Sequence, residues 1–381
     1  MNITMLKKLS YDEVAKCNKC GFCLPSCPIY LVEKKESAAP RGRNAITRAI
    51  IEGRLELSPE TEKSIFSCLG CGACKQVCLS SVETKELIFR DRKCQVSQGL
   101  YPKIADRVAA FIEEEHNITD DDNEERGEWQ ELIRGLPDRA FEKSHAEVVF
   151  FVGCVASFFP MAQKIPVNMS RIMQRAEVDF SILGGEEWCC GFPLIGAGMP
   201  DKMHGLKEHN LNKVKEVGAK AVVFTCPSCY HTWKHLYEAN DIKLYHSSQF
   251  IHQLIKDERI RFNEKKMTVT YHDPCDLGRN SGVYEEPRYV LQAIPGLTLI
   301  ELPHNRQLSM CCGGGGNVEM VNPELSAKVA QMKIDEIKST GAEMVVSACQ
   351  QCLRTIATRA RKQKIDLVVK DLTELVADAM Q

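Results

Sequence analysis

Trp188-Cys-Cys-Gly191, preceded by Cys154 and followed by Cys226-Pro-Ser-Cys229, returns later in the chain as Met310-Cys-Cys-Gly313, preceded by Cys275 and followed by Cys349-Gln-Gln-Cys352. The steps are 35, 36 and 3 positions in the first copy (154 to 189, 190 to 226, 226 to 229). They are 36, 37 and 3 in the second (275 to 311, 312 to 349, 349 to 352). Ten cysteines do not fall into one register twice by chance, so this part reads as an internal duplication with one thiolate-rich site per copy.

Each group follows a short apolar, β-branched run. Val148-Val-Phe-Phe-Val152 precedes Cys154, Ala221-Val-Val-Phe-Thr225 precedes Cys226, Met267-Thr-Val-Thr-Tyr271 leads to Cys275, and Met344-Val-Val-Ser347 precedes Cys349. Such runs are buried strands by pattern. Helical stretches such as 205–217 and 327–340 lie between them, so each copy is expected to be an α/β layer on a mostly parallel sheet. Ligands of such sheets bind beyond the carboxyl ends of strands, where these cysteine groups fall. Five thiolates are one more than a tetrahedral zinc takes. An adjacent Cys-Cys pair does not fit one corner of an ordinary cubane but reaches two different irons. The pattern therefore favours an unusual iron-sulfur assembly with a bridging thiolate, with zinc as the alternative in one copy.

Outward from the duplication, the amino-terminal third carries a second kind of cysteine run. Cys17, Cys20, Cys23 and Cys27 precede Pro28, and Cys68, Cys71, Cys74 and Cys78 repeat the spacing with Leu79 in the proline's place. Three closely spaced thiolates take three corners of a cubane, and the fourth of each run ligates the other cluster. The expected ligand sets are Cys17, Cys20, Cys23 and Cys78 for one 4Fe-4S cluster, and Cys68, Cys71, Cys74 and Cys27 for the second. Paired zinc knuckles do not favour this triple-then-one spacing. Helices over 44–53 and 84–97 fill the gap and the flank. Arg41, Arg43, Arg90 and Arg92 read as solvated helix faces, with a cluster or a redox partner as the alternative neighbour. Cys94 belongs to no pattern and reads as a small buried hydrophobe.

The expected division is 1–100 for the helical two-cluster ferredoxin-type domain, 101–146 for a helical and acidic linker, 147–262 for the first repeat and 263–381 for the second. In the linker, 103–116 and 129–136 read as helices. The acidic stretch from Asp120 to Glu125 reads as a solvated connector without chemistry.

With 49 Lys plus Arg against 51 Asp plus Glu in 381 residues, nothing in the charge argues for nucleic acid or an anionic membrane. No run of 18 apolar residues exists, and the start lacks the apolar core of a secretory signal. The expected location is the cytoplasm, where 19 cysteines imply metal or redox chemistry instead of disulfides. His272, beside Asp273 and near Cys275, is a candidate acid or supporting group for the second site. His231 and His235, one helical turn apart, read as an ordinary helix face. Gly313 to Gly316 lack a nucleotide-binding context and read as glycines that let backbone approach cluster sulfides.

The amino-terminal runs resemble the helical two-cluster ferredoxin module of succinate dehydrogenase iron-sulfur subunits and heterodisulfide reductase C-type subunits. The duplicated pattern resembles the CCG-domain proteins, above all heterodisulfide reductase B-type subunits and the fused D-type subunits, whose order and length the whole chain matches. That resemblance implies two cubane 4Fe-4S clusters and two noncubane 4Fe-4S clusters. The noncubane sites fall on Cys154, Cys189, Cys190, Cys226 and Cys229, and on Cys275, Cys311, Cys312, Cys349 and Cys352. It implies catalysis at those ten cysteines, electrons relayed from the cubanes for disulfide or thiol redox chemistry, and an anaerobic metabolic setting. The implied partners are a flavoprotein, a membrane cytochrome b, or both, with peripheral placement at the inner membrane face through such a partner. Relatives serving glycolate, lactate or glycerol-3-phosphate oxidation share the architecture, and imply the alternative of an electron-transfer subunit passing electrons to quinone. Both closing C-x-x-C pairs are complete here, which tilts the expectation towards disulfide chemistry.

Overall fold

The computed structural model describes residues 2–381. The duplicated part forms two four-stranded, wholly parallel sheets. The first contains β1 (Val148–Phe151), β2 (Phe180–Ser181), β3 (Ala221–Phe224) and β4 (Lys243–His246), in the order β2-β1-β3-β4. The second contains β5 (Met267–His272), β6 (Leu297–Glu301), β7 (Met344–Ser347) and β8 (Val368–Asp371), in the order β6-β5-β7-β8. The order is the same in both, as a duplication requires. The paired registers, Val148 opposite Ala221 and Val269 opposite Met344, set the central strands of each copy side by side.

The four expected strands are present. β2, β4, β6 and β8 complete the sheets; β4, β6 and β8 are half-exposed edges, without the continuous apolar run that marks a buried strand. All four residues of β1 and of β3 are buried, each large apolar side chain contributing about 1.5–3 kcal/mol. The copies face each other through helices. The helix Lys164–Arg175 packs on Leu372–Ala379, and Ser247–Lys256 packs on Glu285–Gln292. In each copy the helix that leads from the first strand to the second packs against the last helix of the other copy, the contact pattern of a two-fold pair. One continuous apolar core, from Phe150 and Trp233 to Tyr271 and Val346, joins the copies.

The amino-terminal part is helical. Thr84–Ser97 has its expected bounds, whereas the expected helix over 44–53 runs from Pro40 to Ile51, with the proline at the first turn where its missing N–H costs nothing. The expected helix over 129–136 is not α-helical. A 3-10 segment spans Asn123–Leu132, and the chain turns after it. Nor is the acidic join a solvated connector throughout, because Asn123, Arg126 and Trp129 are buried against the first repeat.

The ferredoxin part is seated on both copies by the Arg92 guanidinium, which is fully buried. It donates to the carbonyls of Ile65, Phe66 and Cys68 on its own side, to Gly196 of the first copy at 2.6 Å, and to Gly316 of the second at 2.9 Å. The glycine run of the second copy lies on the Cys68 loop so closely that a Cβ at Gly316 would meet the Cys68 carbonyl oxygen at 2.5 Å. The close approach expected of these glycines is thus to the backbone of Cys68 and Leu69. Gly316 and Gly282 both have positive φ, and so share a backbone cost of about 1–2 kcal/mol on substitution. Nothing lies within 4 Å of a Cβ at Gly282. Gly316→Ala is therefore expected to lower the thermal midpoint further than Gly282→Ala and to expose the 65–70 loop to protease; equal midpoints would refute the close seating.

Candidate metal centres

The order of each sheet reverses between its two central strands, and the cysteine groups sit beyond the carboxyl ends of those strands. Cys154 follows β1 and Cys226 follows β3; Cys275 follows β5 and Cys349 follows β7. All ten cysteines of the two copies line one cavity of about 350 Å³. None of the 19 cysteines is in a disulfide.

In the first copy, Cys190 is the centre of the thiol group. Thiol contacts from Cys189 and Cys229 hold its pKa down to about 6 against the effect of burial. Cys312 is its counterpart, held well below the usual thiol range by Cys311 and Cys352, with His272 adding to the effect. The second cysteine of each adjacent pair is thus the thiol that its neighbours most readily leave as thiolate. The loop carrying the first pair is fixed by Trp188, stacked between His116 and His209 at 3.6 Å on each face.

The surroundings of the copies differ. Arg126, from the acidic join, donates to Cys154 Sγ at 3.5 Å and pairs with Glu187 at 3.0 Å, both side chains buried. Glu187 also accepts from the Val152 and Gly153 N–H groups, setting the turn into Cys154. In the second copy His272, three residues before Cys275, lies with Cys312 and Cys352 so that one donor atom from each falls within 4.8 Å of the others. Its place in the first copy is taken by Phe151, three residues before Cys154. Both ring nitrogens of His272 are buried with no nitrogen or oxygen partner among the described residues, which leaves the Cys312 thiol as the group they face. His272 stands behind the cysteines and is not among the residues lining the cavity.

The copies also clasp each other at the sites. Gln350 of the second donates to Val152 O at 2.7 Å and Thr225 Oγ1 at 2.8 Å, and accepts from the Ala156 N–H. Ser228 of the first donates to Asp276 Oδ2 at 2.7 Å. His231 and His235 pack on each other and on the 280–281 segment, with no cysteine in their group.

In the ferredoxin part the runs exchange their fourth members in space. Cys27 lines one small cavity with Cys68, Cys71 and Cys74. Cys78 lines another with Cys17, Cys20 and Cys23, where Cys74 also reaches the wall. Four thiols converging on each cavity, one of them from the other run, is the donor set a cubane takes. Burial and the neighbouring thiols of Cys71, Cys68, Cys27 and Cys23 push Cys74 well above the usual thiol range, a repulsion that metal ligation would relieve. The exposed end of the series is Cys20; the buried end is Cys71, in thiol contact with Cys311 of the second copy. Cys94 is buried among Leu6, Val14 and Leu87.

Sequence reasoning missed Arg126, Glu187, Gln350 and the junction at Arg279, whose guanidinium donates to Cys71 O at 2.8 Å and also to Ser309 O. Arg126 sits in a polar stretch with no motif, so only the folded chain brings it to Cys154.

A dicluster ferredoxin module joined to a duplicated cysteine-rich module is the build of an iron-sulfur oxidoreductase subunit. The family model for a 4Fe-4S dicluster domain matches residues 13–82, and the model for the CCG cysteine-rich domain matches twice, at 148–234 and 269–357. The chain is similar to the D-type subunit of the dihydromethanophenazine:CoB–CoM heterodisulfide reductase of Methanosarcina mazei, 33% identical over 100% of this chain and 96% of that protein. It is similar to the corresponding protein of Methanosarcina barkeri at 32% over the same shares. It is also similar to the B-type subunit of the fumarate reductase (CoM/CoB) of Methanothermobacter marburgensis, at 27% over 98% of this chain and 74% of that protein. The chain belongs to the family of heterodisulfide reductase D-type subunits. Among the described residues no helix is long and apolar enough to cross a membrane.

Removing one partner of a buried ion pair costs about 3–5 kcal/mol. Arg126→Met should therefore lower the urea midpoint substantially, and the double variant Arg126→Met/Glu187→Gln should recover part of the loss. A single variant as stable as the parent would show that the pair carries no such role.

Proposed function

We propose that this chain is the subunit that takes electrons singly at the Cys17, Cys20, Cys23 and Cys78 site, passes them through the Cys68, Cys71, Cys74 and Cys27 site, and uses them on a disulfide or thiol in the ten-cysteine cavity. The carrying observation is that cavity: both copies present all five cysteines to one space, so one substrate disulfide lying there faces both sites at once. Clusters bound at these thiols would supply one-electron steps, and splitting a disulfide needs two electrons and two protons. Two sites facing one substrate would meet the first requirement. Each five-cysteine set, with Cys190 or Cys312 at its centre, suits an assembly in which one thiolate bridges, and we assign a noncubane 4Fe-4S cluster to each.

The chain's own residues prepare the space. Arg126 and Glu187 set the turn into Cys154, and Gln350 holds the two copies in register. Since His272 stands behind Cys312 and Cys352, we assign it to those sulfurs instead of to the substrate. Electrons would enter at the exposed Cys20, with Phe22 and Leu79, 55% and 81% exposed, around it as the surface for a redox partner. A flavoprotein or a membrane cytochrome b both meet that description, and the latter would hold the chain at the membrane. Relatives include EtfAB:quinone oxidoreductase of Syntrophomonas wolfei, 25% identical over 97% of this chain and 58% of that protein, which favours as second reading an electron-transfer subunit fed by a flavoprotein.

Protein purified without oxygen should carry about sixteen irons and no zinc. Reduced viologen should be oxidised only when a thiol disulfide is added; reduction of the clusters only by a flavoprotein with its substrate would favour the second reading. Cys190→Ala and Cys312→Ala should each lose about four irons and spare the cubanes. Full iron in either variant would sink the assignment of that cluster.

A further inference from the structure

Three arginines surround the Cys27, Cys68, Cys71 and Cys74 site, and none is in an ion pair among the described residues. Arg43, 1% exposed, lines that cavity, donating to Ser64 O at 2.8 Å and Ser67 Oγ at 3.1 Å. Arg92, buried among backbone carbonyls, donates to Cys68 O. Arg279 donates to Cys71 O, and its Nη2 is buried with no partner. Burial works against the Arg279 charge, but the thiols of Cys71, Cys275 and Cys311 outweigh it and raise its pKa. Other arginines near the sites are neutralised: Arg126 by Glu187, Arg288 by Asp273 and Arg41 by Glu36. Arg41 is the one beside the Cys17, Cys20, Cys23 and Cys78 site, which is also the site with an exposed cysteine.

Carbonyls satisfy the N–H groups of a guanidinium but leave its net charge uncompensated, and a buried uncompensated charge is costly. Besides the buried Asp91, which neighbours Arg92 but is bonded to Thr47 and Gln95 and pushed up to about 6 by burial, the negative charge available to them is that of the four thiolates and the group they hold. When that group accepts one electron, and no proton, its net charge falls by one. Burial opposes the added charge, and nearby cations favour it. At about 10 Å and an effective dielectric near 20, one cation shifts such an equilibrium on the order of tenfold, and three act in the same direction against the effect of burial.

We propose that Arg43, Arg92 and Arg279 are the charge-compensating set of the Cys27, Cys68, Cys71 and Cys74 site, and hold its reduction potential above that of the Cys17, Cys20, Cys23 and Cys78 site. Electrons arriving at the exposed site then rest on the inner one, beside Cys311, and enter the duplicated part through the second copy. Arg279, touching both Cys71 O and the loop before Cys311, marks that entry. The inference rests on the reading of both sets as cubane sites. The three arginines act as positioning residues of charge, without contact with substrate.

The test is a redox titration of the anaerobically purified full chain, followed by electron paramagnetic resonance, with iron and sulfide counted in each sample. Arg92 also clamps the modules together, so the decisive variant is Arg43→Gln, which keeps a hydrogen-bond donor, removes the charge and touches neither copy. Two cubane midpoints are expected in the parent. In Arg43→Gln and in Arg279→Gln the higher one should fall by at least tenfold in its reduction equilibrium, about 59 mV. The lower midpoint should stay in place, and Arg43→Lys should restore the higher one. Unmoved midpoints in Arg43→Gln with full iron would overturn the arginine inference alone. A parent protein without cubane signals would overturn the cubane reading and the inference with it.

Discussion

Assembly of this molecule turns on the Arg92 guanidinium. A fully buried arginine with no carboxylate must find carbonyl oxygens for its N–H groups, and those of Arg92 come from three parts of the chain: the Cys68 loop, Gly196 of the first copy and Gly316 of the second. Hydrogen bonds from a charged donor contribute about 1.5–3 kcal/mol each, and this cage exists only when all three parts are in place. The ferredoxin part therefore docks in one pose. That pose sets Cys71 against Cys311 and gives the cysteine series a direction, from the exposed Cys20 inwards.

Duplication supplies symmetry, and the surroundings break it. Identical strand order in the two sheets, with reciprocal helix packing, turns both sets of cysteines into one cavity. Yet the buried pair of the first copy, Arg126 with Glu187, reaches Cys154 Sγ, whereas Arg288 with Asp273, the buried pair just before Cys275, turns to Glu301 and the Tyr284 carbonyl. The second copy has a histidine where the first has Phe151, and an unpaired arginine at its border with the ferredoxin part. Gln350 ties the copies together at the sites, bonding the chain just before Cys154 and just before Cys226.

Crowding of thiols makes the same point energetically. Buried cysteines a hydrogen bond apart drive one another's pKa values in opposite directions, as at Cys190, held down to about 6, and Cys229, pushed well above the usual range. A fold that needed these side chains only for packing would gain more from Ala or Val, which bury without such repulsion. The arrangement makes sense as a set of ligands, in keeping with the heterodisulfide reductase family and its dicluster and cysteine-rich modules.

Local pattern along the chain carried a good part of this architecture. The C-x-x-C-x-x-C-x-x-x-C spacing marked two four-thiol groups, in which three thiolates on one turn leave a corner that only a distant residue reaches. The repeated Cys, Cys-Cys-Gly, C-x-x-C register, with apolar runs before it, specified two parallel sheets and the strand ends where the cysteines sit. Edge strands such as β4 and β8 escaped because their half-exposed residues lack a continuous apolar run. Arg126 escaped because an arginine within acidic residues reads as solvated until Glu187, 61 positions later, closes over it. Arg43 and Arg92 read as solvated helix faces because charged positions on a helix are ordinarily exposed, and only the folded chain shows them buried. Folding in three dimensions was needed to bring both copies to one cavity, to seat the ferredoxin part against the second copy, and to bury Arg43, Arg92 and Arg279 without ion pairs among the described residues. Those are contacts between residues tens to hundreds of positions apart, and no periodicity along the chain encodes which surfaces meet.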